Sequence, residues 1–223
     1  MGALRAGFHG TVGQPSAQVI DGSLKFHGDK EYYFKKTPYV GNRKTWTISF
    51  WVKRCEGSAS EPGIFSTYAG VSGPAFTCYF NSSDKLRIYN DESGYNLDLL
   101  TTQVFRDYNS WYHIVISIDT TQTTASDRAK LYVNGVRVTE FSTELYPGDI
   151  DLDWNTATEH NIGKHLHEFD GNISNFYHID GHSFGPEYFG FTDPLTNTWR
   201  PKKLEQFPKR SFTNPRWYSS ATL

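Results

Sequence analysis

A two-residue turn at Asn134-Gly135 constrains this chain more than any other feature. It separates Ala-Lys-Leu-Tyr-Val (129–133) from Val-Arg-Val-Thr-Glu-Phe (136–141). A type I′ turn needs φ > 0 at both central residues, and Asn-Gly is the dipeptide that meets this at least cost. The register follows. Val133 faces Val136 and Leu131 faces Val138 on one side of the ribbon, while Tyr132 faces Arg137 on the other. The run before it alternates too: Tyr112, Ile114, Ile116 and Ile118 against His113, Val115, Ser117 and Asp119. Three such strands in a row predict an antiparallel sheet with one buried and one wet face.

The same pattern recurs along the chain. Trp46, Ile48, Phe50 and Val52 point one way, with Thr47, Ser49 and Trp51 opposite. Strands are expected at Leu24–Phe26, Tyr32–Phe34, Ile64–Tyr68, Phe76–Phe80, Leu86–Tyr89, Leu97–Thr101, Ile162 and Ile173–Ile179. Ser142 to Glu159 reads as a long loop, and Pro186-Glu187-Tyr188-Phe189 as the one short helical turn. Turn signals recur roughly every 8–12 residues, which indicates a sandwich.

At 223 residues, 16% of them aromatic, one all-β domain is expected. Residues 1–19 read as an arm, 20–198 as the sandwich and 199–223 as a second arm. From Trp199 onward six Lys/Arg face one acid, Glu205, for a net charge of +5, while the rest of the chain carries −7. Pro201, Pro208 and Pro215 interrupt ladder pairing there, yet Leu204, Phe207, Phe212, Trp217 and Tyr218 need apolar cover. They are read as a docking arm, against the alternative of a loose basic tail.

The total charge of −2 gives no reason to expect nucleic acid as a partner. Cys55 and Cys78 read as free thiols rather than a bridge. No apolar signal region or membrane-length run is visible, and Ala6 stands where a myristoylation site needs Ser or Thr. A soluble product made in a cytosol, without membrane insertion, is the expectation.

The central stretch also carries a resemblance. Trp111-Tyr112-His113, Leu131-Tyr132-Val133-Asn134-Gly135-Val136, Asn161-Ile162-Gly163 and Phe169-Asp170-Gly171-Asn172-Ile173 are similar to core strands of laminin-G-like domains. The resemblance spans Ser23 to Ile179. It implies a concanavalin A-like jelly roll, an antiparallel two-sheet sandwich shared by lectins, glycosidases and interaction modules.

A narrower resemblance lies in Gly41-Asn42-Arg43-Lys44-Thr45-Trp46-Thr47 with Trp51-Val52-Lys53-Arg54, in Leu100-Thr101-Thr102-Gln103-Val104-Phe105-Arg106-Asp107, and in Thr192-Asp193-Pro194-Leu195-Thr196 with Trp199-Arg200-Pro201-Lys202-Lys203. These strings resemble a jelly-roll group in virion proteins of marine bacteriophages. They imply a structural protein on the phage particle: a head decoration protein, a fibre or a tail component. Other virion subunits, further copies of the chain in a homo-oligomer, and host surface glycans are the implied partners.

Retaining glycosidases of this fold place carboxylates at i, i+2 and i+4 on one strand. The nearest string is Glu168-Phe169-Asp170-Gly171-Asn172, in which the third carboxylate is absent and Gly171-Asn172 reads as a turn. No catalytic residue is expected, so the protein is read as a non-enzyme. The alternatives are a glycoside hydrolase of this fold or a free-standing lectin or adhesin. Stacking on sugars needs exposed rings beside amides. Tyr95-Asn96 and Trp154-Asn155 offer that pair in expected loops, against the reading that Trp154 merely covers the sandwich edge. His165-x-His167 could form half a zinc site, but spacing fixes no further ligand. Asp149, Asp151 and Asp153 leave calcium open, although a solvated acidic loop is the plainer reading. No cofactor or metal is expected.

Overall fold

Alternating stretches become strands, and the computed structural model describes residues 20, 22–28, 33–55, 61–68 and 75–203. The strands are β1 (Leu24–Phe26), β2 (Phe34–Lys36), β3 (Thr45–Arg54), β4 (Gly63–Tyr68), β5 (Ala75–Phe80), β6 (Lys85–Asp91), β7 (Tyr95–Val104) and β8 (Tyr112–Asp119). After a single helical turn, α1 (Ala125–Arg128), come β9 (Ala129–Val133), β10 (Val136–Arg137), β11 (Phe141–Leu145), β12 (Glu159–Ile162), β13 (Gly171–Asp180), β14 (Gly190–Asp193) and β15 (Thr198–Pro201). One sheet has the order β1-β13-β3-β8-β9-β10, the other β11-β7-β6-β5-β4-β12-β2, and β14-β15 form a separate ribbon. Every strand pairing is antiparallel, as a jelly-roll sandwich requires.

The core fills the space between the two large sheets. Trp46, Ile48, Phe50 and Val52 of β3 and Ile114, Ile116 and Ile118 of β8 meet Phe65, Phe76, Cys78, Phe80, Leu86, Ile88, Leu97 and Leu99 from the opposite sheet. The rings interlock edge to face: Trp46 on Phe76 at 5.0 Å between centres and Phe50 on Phe65 at 5.8 Å. Each such side chain contributes about 1.5–3 kcal/mol by burial. Arg54, also buried, is held by Asp84 at 2.9 Å and donates to the Phe105 carbonyl at 2.7 Å. Cys55 is exposed, Cys78 is buried, and the two do not pair.

The turn at Asn134 (φ 48°) and Gly135 (φ 81°) is of type I′. Val136 pairs with Val133 and Arg137 with Tyr132, the expected register. Val133 is buried, but Val136, on the two-residue edge strand β10, is open to solvent among the described residues.

Three expectations need correction. The stretch after Ser142 is not all loop, since β11 pairs with β7 along the sheet edge. Gly171 and Asn172 are not a turn but the first residues of β13, paired with Arg54 and Lys53. The outer face of the six-stranded sheet is not wet. Thr47, Ser49, Trp51, His113, Val115 and Ser117 are all buried. Residues 181–201 cover them: Thr47 Oγ1 donates to the His182 carbonyl (2.6 Å) and accepts from the Phe184 amide (2.8 Å), and Ser117 Oγ meets Ser183 Oγ at 2.6 Å. Phe189, Val115 and Ile179 form a second apolar cluster there, flanked by Tyr132, Tyr177 and Phe184.

Trp199 closes this cover. Its Nε1 donates to His113 Nδ1 (2.9 Å), and His113 Nε2 lies 2.9 Å from Ser49 Oγ, so the ring proton sits on Nε2. The imidazole packs on the Trp51 ring (5.0 Å between centres), with Trp199 at its Nδ1 edge (5.9 Å). A side chain at Gly135 would strike the Trp199 ring at 2.4 Å. The boundary expected between residues 198 and 199 thus falls inside β15, which packs on the sandwich. Leu204, Phe207, Phe212, Trp217 and Tyr218 lie outside the described residues, as do residues 1–19.

Candidate functional site

The outer face of the seven-stranded sheet is different. Pairing of β5, β6 and β7 sets Tyr79 opposite Arg87, Tyr89 opposite Asp98, and Asp91 opposite Tyr95. Arg87 is the hub. Its Nε and Nη2 fork onto Asp98 at 2.8 and 2.7 Å, and Nη1 donates to the Tyr79 hydroxyl at 2.9 Å. Its guanidinium carbon lies 5.2 Å from the Tyr89 ring centre and 4.9 Å from that of Tyr95. Tyr89 and Tyr95 meet edge to face at 5.2 Å. Tyr95 is therefore braced from behind, yet 49% exposed.

His165 completes the cluster. Its ring stacks on Tyr79 at 6.2 Å, and its Nε2 lies 3.0 Å from the Tyr89 hydroxyl. Its Nδ1 is buried with no hydrogen-bond partner among the described residues. Burial, with His167 adding to it, pushes His165 down to about 4. The hydrogen bond to Asp98 is the main cause holding the Arg87 guanidinium above its ordinary value. Burial raises the Tyr79 phenol, opposed by Arg87 and reinforced by Glu61.

Asn96, the residue after Tyr95, belongs to a shallow, open polar depression of about 550 Å³ lined also by Arg43, Lys44, Glu92, Asp149, Ile150 and Asp151. Asn90, buried beneath it, fixes the far wall. It donates to Asn96 Oδ1 (2.9 Å) and Asp153 Oδ2 (2.8 Å) and accepts from the Asp153 amide (2.7 Å). Burial raises the Asp153 carboxyl. The aspartates do not converge on one point. Lys44 holds Asp149 at 2.8 Å, and Arg43 holds Asp153 at 3.2 Å and approaches Asp151 at 3.7 Å. Each is ion-paired, and among the described residues no group of three or more His, Cys, Asp or Glu is arranged for a metal. No helix among them is long and apolar enough to cross a membrane.

Of the four candidate sugar contacts, Tyr95 is exposed on the outer face and Asn96 lines the polar depression, where it accepts from Asn90. Trp154 and Asn155 are elsewhere, which corrects the reading of them as open loop residues. Trp154 is 3% exposed, packed edge-on against Phe65 and His160. Asn155 is buried at φ 64°, donating to the Asn42 carbonyl and Asp180. Apolar cover outweighed the loop signal, because a Trp ring gains more from burial than from display. His165 and His167 do not face together: the first is buried and the second exposed. Glu168 bonds Lys164 at 2.9 Å, and Asp170 pairs with Lys25. Burial works against ionisation of Glu168, but Lys164 brings its carboxyl below the ordinary value.

Arg87, Tyr89, Tyr79, Asp98 and His165 were not singled out from sequence. Outward parity on β5 and β6 could have grouped Tyr79, Arg87 and Tyr89. Tyr95 has the parity of Leu97 and Leu99, which point inward. A bulge between Asn90↔Leu97 and Asp91↔Tyr95 turns it outward.

Residues 27–180 match the model of the concanavalin A-like lectin/glucanases superfamily, and the chain belongs to that family. Among solved structures it is similar to domains LG4-5 of the mouse laminin alpha1 chain, with a TM-score of 0.52 at 11% identity, over 76% of this chain and 44% of that one. It is also similar to the native heptameric SAP-like pentraxin of Limulus polyphemus (TM-score 0.48, 14% identity, 70% and 74% covered). A third is domain 4 of a GH43 extracellular arabinanase from Geobacillus stearothermophilus, in complex with arabinotriose (TM-score 0.47, 16% identity, 73% and 67% covered). The chain spans less than half of the laminin chain. These likenesses speak to fold alone. No curated protein sequence matches.

Proposed function

We propose that the chain is a non-catalytic, glycan-binding module on the surface of a bacteriophage particle. The observation that carries the binding role is the Tyr95 ring, exposed on one face and braced on the other by Arg87 and Tyr89, next in sequence to Asn96 of the polar depression. A rigid aromatic face beside amide and carboxylate groups suits the C–H face of a sugar ring with its hydroxyls. The particle role rests on the marine-phage strings around Trp46, Phe105 and Trp199. On this reading the partners are other virion subunits, further copies of the chain and host surface glycans, and no cofactor takes part.

The non-catalytic part is supported by the carboxylates. Glu168 and Asp170 are each held by a lysine, and Asn172 stands where a third acid would be needed. Mass spectrometry of purified particles with immunogold labelling tests the location; absence from particles refutes it. A glycan microarray tests the binding, which Tyr95→Ala should reduce by about tenfold or more, or ~1.4 kcal/mol. Release of reducing sugar from envelope polysaccharide, lost in Glu168→Gln, would instead establish a glycoside hydrolase.

A further inference from the structure

The charged groups around Tyr95 narrow the ligand. Among the described residues, Arg87 lies under the Tyr95 ring, and Arg43 and Lys44 line the neighbouring depression. The cation under the Tyr95 ring, Arg87, has no unspent fork, and Arg43 and Lys44 are ion-paired with aspartates. Carboxylate and sulfate groups are commonly gripped by an unspent guanidinium fork. The Arg87 fork is closed on Asp98, its third nitrogen serves Tyr79, and Tyr89 and Tyr95 cover its plane. Arg43 Nε donates to the Leu152 carbonyl at 2.7 Å, and its other nitrogens face Asp153 and Asp151. Lys44 is held by Asp149.

The balance of charge has the same sense. The lining of the depression holds three carboxylates, Glu92, Asp149 and Asp151, against two cations, Arg43 and Lys44. An anionic sugar stacked on Tyr95 would have to displace Asp98 from Arg87 to reach its fork, next to a lining in which carboxylates outnumber cations. A neutral sugar needs no such exchange. Its hydroxyls donate to lone pairs that paired carboxylates still have to offer, and its C–H face meets Tyr95.

We infer that this face binds neutral glycan and excludes uronic, sialic and sulfated sugars, an inference that rests on the glycan-binding reading above. Isothermal titration calorimetry of the full chain and of Tyr95→Ala tests it. The probes are mannan, β-1,3-glucan and galactan; acidic alginate and polygalacturonate; and cationic chitosan oligosaccharide. The expected result is binding to at least one neutral polymer, weakened about tenfold in Tyr95→Ala, with affinity unchanged to within about twofold in ~0.5 M NaCl. Acidic and cationic polymers bind at least about tenfold more weakly than the best neutral one. Acidic or cationic polymers binding as tightly as the best neutral one overturn the inference, as does neutral binding indifferent to Tyr95→Ala. Acidic-only binding that is lost in Tyr95→Ala sinks neutrality and leaves the glycan reading standing. Binding to no polymer sinks both.

Discussion

The two outer faces of the sandwich are built from the same kinds of residue and finished in opposite ways. On the six-stranded sheet, His113 packs on Trp51 with Trp199 at its edge, and residues 181–201 seal the stripe of Thr47, Ser49 and Ser117. On the seven-stranded sheet, His165 lies against Tyr79 and Tyr89, and Tyr95 presents half its surface to solvent. Both faces carry aromatic-histidine clusters. One is covered by the chain's own ribbon, so its aromatics stabilise the fold. On the other, the outermost ring stays half exposed among the described residues, so that ring contributes little to the fold.

The largest expected effect tests the closed face. Gly135→Val places a β-branched side chain at φ 81° and 2.4 Å from the Trp199 ring. Both the turn and the cover should suffer, with a loss of about 3 kcal/mol or more and a fall in Tm of roughly 10 °C. An unchanged circular dichroism melt would show that the ribbon does not press on the turn.

Next comes the same truncation on each face. Trp199→Ala should cost about 2 kcal/mol, since the ring fills the space over His113 and Gly190. Tyr95→Ala should cost under about 1 kcal/mol, because half the ring was already in water. Urea unfolding measures both, and equal losses would erase the contrast between the faces.

A smaller effect is set by pH. Burial pushes His113 down to about 3 and is the first cause of the value near 4 at His165. An unfolded histidine titrates near ~6.5. Between the folded and unfolded values the unfolded chain binds a proton that the folded chain refuses. Stability from the neutral ring is thus present above ~6.5 and is lost as pH falls, by up to about 1.4 kcal/mol per pH unit for each residue. Burial lowers His178, to about 3, and His160, in the same sense. His113→Gln should flatten the decline in urea midpoint from pH 6.5 toward about 3, and His165→Gln only toward about 4. Parallel slopes in all three proteins would show that neither ring titrates this way.

Much of the sandwich could be read directly from alternation. Period-two runs at Trp46–Val52 and Tyr112–Ile118 are β3 and β8, and Asn134-Gly135 fixed its own register, because these signals depend only on nearby residues. The four glycan candidates are divided by burial, with Tyr95 exposed and Trp154 and Asn155 inside. Tyr95 is the first residue of β7 and is exposed only because of the bulge that follows it, while Trp154 and Asn155 were drawn inside by neighbours far away in sequence.

What the sequence determined alone was the alternation, the type I′ turn and the all-β class, each of which follows from backbone geometry and side-chain size within a few residues. What only the tertiary structure decided were the bulges and the cover. In β13 the extra residue beside Asn175 (φ 47°) puts Ile173 in the main core and Ile179 in the outer cluster, although both have the same parity. The bulge at Asn96 likewise turns Tyr95 away from Leu97 and onto Arg87. Which outer face is sealed depends on where residues 181–201 fold back. That is a contest between burial energies across the whole chain, and no single stretch of sequence contains its terms.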